Sequence, residues 1–172
     1  NFDSKGSKLE KIIRVIRQMN GPTILALQEI SPTAVMADFI GDLAAAGYPY
    51  EYAYSTASHG ISVALLWRSD VITQSQWNTV QGCSPDGSTA ADYDPLWATC
   101  RAQGMYPTFP RRPVVLTATL TLDGVSQQVV VIANHLKSKL GGKPSDRMRL
   151  AEAEFLVELV EGLVAQGHEN VI

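Results

Sequence analysis

Residues 129–139 read VVVIANHLKSK. An apolar, β-branched run of strand type stops abruptly at Asn134-His135, and Lys137 and Lys139 follow at once. A packed strand that delivers an amide, an imidazole and two ammonium groups to its exit is costly for folding alone and well suited to holding a phosphate. Residues 25–30, LALQEI, repeat the design, with an apolar run that ends in one carboxylate, Glu29. These two strand ends, and what lies between them, decide the fold.

Working outward, residues 114–122 and 128–133 flank Asp123-Gly124, a strong hairpin signal. Residues 136–145 form a basic, glycine-containing loop, and residues 146–165 read as a helix with Met148, Ala151, Phe155, Leu159 and Leu163 on one face. Its Glu152, Glu154, Glu158 and Glu161 read as a solvated face. Residues 169–172, ENVI, look like the first residues of another buried strand. Toward the N-terminus, Ser7 caps a helix in which Leu9, Ile12, Ile13, Ile16 and Met19 recur at helical spacing until Asn20-Gly21. A buried strand spans residues 23–28, and Ser31-Pro32 opens a second helix that runs to Ala46. Residues 48–58 are aromatic and irregular, residues 61–67 and 71–80 read as strands, and residues 81–110 read as one long loop without periodicity. Loops of that length are uncommon in compact domains and usually have a role. The order of elements predicts a layered α/β (α+β) protein, and the hairpins argue against a purely parallel sheet.

A chain of 172 residues suffices for one domain with a sizeable core. Neither internal repeats nor a linker divide it. A hydrophobic fraction of 45% and a charged fraction of 18% are ordinary for a globular protein. The net charge of -3 excludes a global basic field, so any phosphate binding is local. No apolar run approaches the roughly 20 residues needed to span a bilayer. The chain opens on Asn1-Phe2-Asp3 without an initiator methionine, as it would after removal of a leader. Cys83 and Cys100 bracket a stretch rich in Gly, Ser, Asp and Pro, and their spacing fits no zinc template. Two independent buried thiols, or a disulfide that closes a long loop, remain. The disulfide is the leading reading and implies an oxidising compartment, secreted or periplasmic.

Each polar residue at the strand exits has a bland and a chemical reading. Glu29 is a solvated acid beside a helix start, or the single carboxylate ligand of a divalent cation whose other positions go to water and phosphate. His135 is a histidine satisfied by backbone, or a donor to a phosphate oxygen and a leaving alkoxide. Asn134 makes a turn or orients that imidazole. Lys137 and Lys139 bind phosphate or keep the loop soluble. Arg111-Arg112 just before Pro113 offers bidentate phosphate contact or blunts an edge strand.

The order is more specific than any single residue. LQEI, then GISVALLWRSD at 60–70, RRPVVLTATL at 111–120 and VVVIANHLKSK resembles the endonuclease/exonuclease/phosphatase superfamily over nearly the whole chain. The NHLKSK segment with the PSDRMRLAEAEF helix is most similar to its secreted bacterial nucleases. The resemblance implies a four-layered α/β sandwich of two packed, mostly antiparallel sheets, like that of pancreatic deoxyribonuclease. It also implies divalent-metal-dependent phosphodiester hydrolysis with Mg2+, or Mn2+ or Ca2+, and nucleic acid, DNA or else RNA, as substrate. By position, Glu29 resembles the metal-binding glutamate, His135 the histidine beside the scissile phosphate, and Arg111 the phosphate-binding arginine, with Arg112 as the fallback. Asn134 and Lys137 resemble substrate-contacting positions. Asn1-Phe2 resembles the end of an Asn-x-x-Asn-Phe pattern, which would put the functional asparagine before residue 1.

The family's later Gly-Asp-Phe-Asn and Ser-Asp-His segments are missing from this sequence, and Pro144-Ser145-Asp146-Arg147 carries Ser-Asp without the histidine. The expectation is therefore the N-terminal half of the sandwich, completed by a C-terminal remainder or a second chain. A phosphatase or a sphingomyelinase of the same superfamily is the competing enzyme. The latter would need an exposed apolar hairpin, for which Tyr93, Pro95, Leu96 and Trp97 are the candidate. A binding protein that keeps the scaffold without catalysis is the competing class.

Overall fold

The structure, a computed structural model, describes residues 5–30, 33–55, 61–89, 91–92 and 94–172. Helix α1 (Lys5–Gln18) leads into strand β1 (Ile24–Ile30) and helix α2 (Thr33–Ala45). Strands β2 (Tyr50–Tyr54), β3 (Ser62–Arg68) and β4 (Ile72–Thr79) follow. Short strands β5 (Cys83–Ser84) and β6 (Tyr106–Pro107) flank helix α3 (Trp97–Ala102). The hairpin of β7 (Val114–Leu122) and β8 (Val125–Ala133) then precedes helix α4 (Gly142–Ala165).

Two antiparallel sheets form the middle of the molecule, one ordered β1-β3-β2 and the other β4-β7-β8. Strand β3 is buried on both faces, so it reads as a continuous apolar run. Val63, Leu65 and Trp67 on one face meet Val114, Leu116, Ala118 and Ala133 of the second sheet in the inter-sheet core. Ala64 and Leu66 on the other face pack with Ile16 of α1 and Met36, Phe39 and Leu43 of α2. On the far side, Phe155 of α4 meets Phe109 edge-on at 5.4 Å. The layers run helix, sheet, sheet, helix, the four-layered α/β sandwich expected.

Residues 170–172 pair parallel to β8, with Val130 N–H donating to the Asn170 carbonyl at 2.7 Å and Ile172 N–H to that of Val130 at 2.9 Å. This β8–α4–strand unit leaves the C-terminal end of β8 where parallel sheets place their sites. No helix among the described residues is long and apolar enough to cross a membrane.

Five sequence expectations change. The region after Gly47, expected to be irregular, contains β2, whose Ala53 enters the inter-sheet core. Helix α4 begins at Gly142, not at 146, because Pro144 is tolerated in a first turn that needs no N–H partner there. The expected loop 81–110 contains β5, α3 and β6 and is closed by a Cys83–Cys100 disulfide. Leu96 and Trp97 cap and start α3, and the Trp97 ring packs against Tyr106 at 5.8 Å, so they do not form an apolar hairpin. Helix α1 begins at Lys5, so Ser7 lies within its first turn and is not the cap expected, while Asn1-Phe2, Ser31-Pro32 and Tyr93 lie outside the residues whose placement or side chains are described.

Candidate active site at two strand exits

Strand β1 pairs Leu27 with Ala64 and Ile30 with Ser62, so two residues on β1, Gln28 and Glu29, stand opposite one on β3, Val63. That extra residue is a β-bulge, a device that re-aims side chains next to sites. Its consequence shows in the packing. Leu25, Leu27 and Ile30 all lie against the α1/α2 core, although Leu27 and Ile30 are an odd number of residues apart. Strict alternation would have sent Glu29 to that apolar face. The bulge turns it out instead, at the cost of a left-handed backbone with φ of 57°.

The same bulge hands Gln28 and Glu29 to the exit of β8. Gln28 Nε2 donates to the Asn134 carbonyl at 2.8 Å, and Glu29 Oε1 lies 3.9 Å from His135 Nε2. Residues 106 apart in sequence thus meet across the two sheets. The two side chains differ in burial, with Glu29 70% exposed and His135 only 18%. Burial first, then the charge of Arg111, pushes the imidazole pKa below its usual value, against the opposing pull of Glu29. His135 Nδ1 is buried and has no hydrogen-bond partner among the described residues. The neutral tautomer with its proton on Nε2 costs least there, since it leaves no N–H buried without an acceptor.

Adjacent residues on an extended chain point to opposite sides, and Arg111 and Arg112 separate accordingly. Arg112 Nε and Nη2 donate to Asp94 at 2.7 and 2.6 Å, a bidentate pair. Burial alone would raise the Asp94 pKa, but Arg112, the Leu96 N–H and Gln81 Nε2 together hold it below the carboxylate range. The fallback assignment of phosphate binding to Arg112 is therefore set aside, because its fork ties the 81–110 segment to the hairpin. Arg111 lies in the field of His135 and of Glu152, and its buried Nε has no partner among the described residues. Lys137 is half-buried and Lys139 exposed.

Glu152 corrects the sequence reading most sharply. Placed there on a solvated face, it is fully buried, at 0% exposure. Its Oε2 accepts the Lys137 N–H at 2.7 Å, and its Oε1 has no partner among the described residues. Burial raises its pKa to about 7, against the lowering effects of that hydrogen bond and of Arg111, Lys137 and Arg149. A signal was available, since Ser145, Arg149 and Glu152 stand at i, i+4 and i+7, one stripe of a helix. Glu154, Glu158 and Glu161 are exposed, as expected.

Among the described residues no group of three His, Cys, Asp or Glu side chains converges to hold a metal ion. The donor set still suits one kind of cation. A single exposed carboxylate that leaves room for water and phosphate oxygens is the protein share magnesium usually takes.

A sequence model of the Endonuclease/Exonuclease/phosphatase family matches residues 1–172. No curated protein sequence matches the chain. Among solved structures, TDP2 from Caenorhabditis elegans superimposes with a TM-score of 0.57 at 17% identity, over 98% of this chain and 42% of that one. The human Nocturnin catalytic domain with bound sulfate anion gives 0.56 at 17% identity, over 96% of this chain and 54% of that one. The chain thus spans about half the length of each.

Proposed function

The chain belongs to the Endonuclease/Exonuclease/phosphatase family, and from that premise we propose that it carries part of the active site of a divalent-metal-dependent phosphodiesterase, a secreted nuclease acting on DNA or RNA. The observation that carries this reading is the approach of Glu29 and His135, 3.9 Å apart at the exits of strands from different sheets. Glu29 would hold the cation, Mg2+ or else Mn2+ or Ca2+, through one carboxylate oxygen. When bound, such an ion draws charge from phosphate oxygens as a Lewis acid.

The remaining work falls to side chains of the chain. A neutral His135 with its proton on Nε2 donates a hydrogen bond to a phosphoryl oxygen or to the leaving oxygen, steadying the charge that builds there as the P–O bond breaks while the proton stays on the imidazole. Arg111, whose charge reaches His135, carries a guanidinium that can take two phosphate oxygens at once. Lys137, held at the turn, adds a point charge. Asn134 contributes its carbonyl to the Gln28 tether, which fixes one strand exit against the other. Water attacks phosphorus from the side opposite the leaving oxygen.

The Cys83–Cys100 disulfide supports an oxidising compartment. The greater length of the solved relatives supports a C-terminal remainder or second chain as the source of further site residues. The test is hydrolysis of plasmid DNA, RNA and bis(p-nitrophenyl) phosphate by the full-length protein with and without Mg2+. Metal-dependent cleavage that falls at least a hundredfold in both Glu29→Gln and His135→Ala, with unchanged melting, supports the assignment. Near-normal turnover in either variant refutes it.

A further inference from the structure

The β8 exit is the chemical heart of the proposed site, yet residues 137–140 belong to no strand or helix. Among the described residues, the side chains that bond to the backbone of this turn all come from α4. Glu152 Oε2 takes the Lys137 N–H at 2.7 Å. Arg149 Nη1 donates to the Ser138 carbonyl at 2.8 Å and, at a long 3.5 Å, to that of Lys137. Ser145 Oγ donates to the Leu140 carbonyl at 2.8 Å. The three side chains form the i, i+4, i+7 stripe of α4, and Ser145 and Glu152 are buried. Each takes a backbone group of the polarity it can satisfy, the carboxylate an N–H and the guanidinium and hydroxyl carbonyls.

We propose that Ser145, Arg149 and Glu152 are a clamp of positioning residues, with Glu152 as its centre, that fixes the turn after His135 and so sets where His135 and Lys137 reach. A salt-bridge role does not account for Glu152, because the group it contacts is a peptide N–H. A packing role does not account for it either, since an apolar side chain of similar volume would fill the space without leaving the Lys137 N–H to a buried carboxylate. Both peptide groups of Lys137 are gripped, and a residue held on both sides cannot swing its side chain away by backbone rotation. The inference rests on the reading of His135 and Lys137 as phosphate-handling groups, so its test has one arm that needs no turnover.

In the full-length protein, hydrogen exchange is followed at the Lys137 amide alongside kcat and KM for bis(p-nitrophenyl) phosphate, in Glu152→Leu, Glu152→Gln and Arg149→Met. Glu152→Leu should speed exchange at Lys137 at least tenfold, with β7 and the body of α4 unchanged, and lower kcat/KM at least tenfold. Glu152→Gln keeps a carbonyl acceptor and should restore both to within threefold of the parent. Exchange at Lys137 within twofold of the parent in Glu152→Leu overturns the clamp. If Glu152→Leu does not fold, Arg149→Met decides by the same local criterion at residues 137–139. A parent protein without phosphodiesterase activity sinks the hydrolase reading, and the exchange arm still decides on the clamp.

Discussion

Glu29 carries a left-handed backbone that a glycine would adopt without strain. Glu29→Gly should therefore raise unfolding free energy by up to about 1 kcal/mol while removing turnover from the full-length protein, with denaturant melts and hydrolysis as the two measurements. A stability loss would mean that the carboxylate supports the fold and that the strain argument is wrong. Glu152 gives the opposite kind of test. Its folded pKa of about 7 stands above the ordinary 4.5, so folding takes up a proton between those values. Its stabilising contribution is complete below about pH 4.5 and is lost as pH rises through 7. Removing the titration in Glu152→Gln should shift the stability difference by about 2 to 3 kcal/mol in the variant's favour between pH 5 and pH 8. Equal pH slopes in both proteins would count against a raised carboxyl. Glu29 and His135 were legible in the sequence because each ends an apolar run. Glu152 stands at i+4 from Met148 and i−3 from Phe155, inside the apolar stripe of α4, and the 137–140 turn that folds back onto it shows why a carboxylate occupies that place.

The 81–110 segment shows what periodicity cannot reveal at the scale of elements. Its order comes from a polar hub, not from an amphipathic pattern. Gln81 exchanges hydrogen bonds with Phe109 N–H and carbonyl at 2.9 and 2.8 Å, while Asp94 gathers Gln81 and Arg112. Only the cysteines announced this closure in advance, and the arginine pair could not be sorted until the chain's alternation was seen against Asp94. The two arginines should separate in experiment. Arg112→Ala leaves a buried carboxylate unpaired and should cost about 3 to 5 kcal/mol, with turnover per folded molecule retained. Arg111→Ala should leave the melt nearly unchanged and lower kcat/KM at least tenfold. The reverse pattern would exchange their assignments. Opening the disulfide, whose cysteines are 17 residues apart, should cost about 3 kcal/mol by the loop-closure account.

Across the whole molecule, the order of helices, strands and hairpin made the layers readable, because sheets buried on both faces must be covered by whatever helices the chain supplies. What the order could not give is that the site is an inter-sheet feature. Glu29 leaves one sheet and His135 the other, so the spacing between sheets sets the 3.9 Å between them. Two small core residues of the second sheet permit a direct test. Ala133, at the end of β8 and paired with Val114, lies beside the site, whereas Ala118, paired with Val129, lies in mid-sheet. Enlarging either should overpack the inter-sheet core and cost about 1 to 3 kcal/mol. The effect on chemistry should differ. Ala133→Val pries the sheets apart where Glu29 and His135 face each other and should lower turnover at least tenfold. Ala118→Val, at comparable stability cost, spreads its strain along the sheet and should stay within threefold of the parent. Matched losses in both variants would show that turnover follows global stability and does not depend on the distance between the two strand exits.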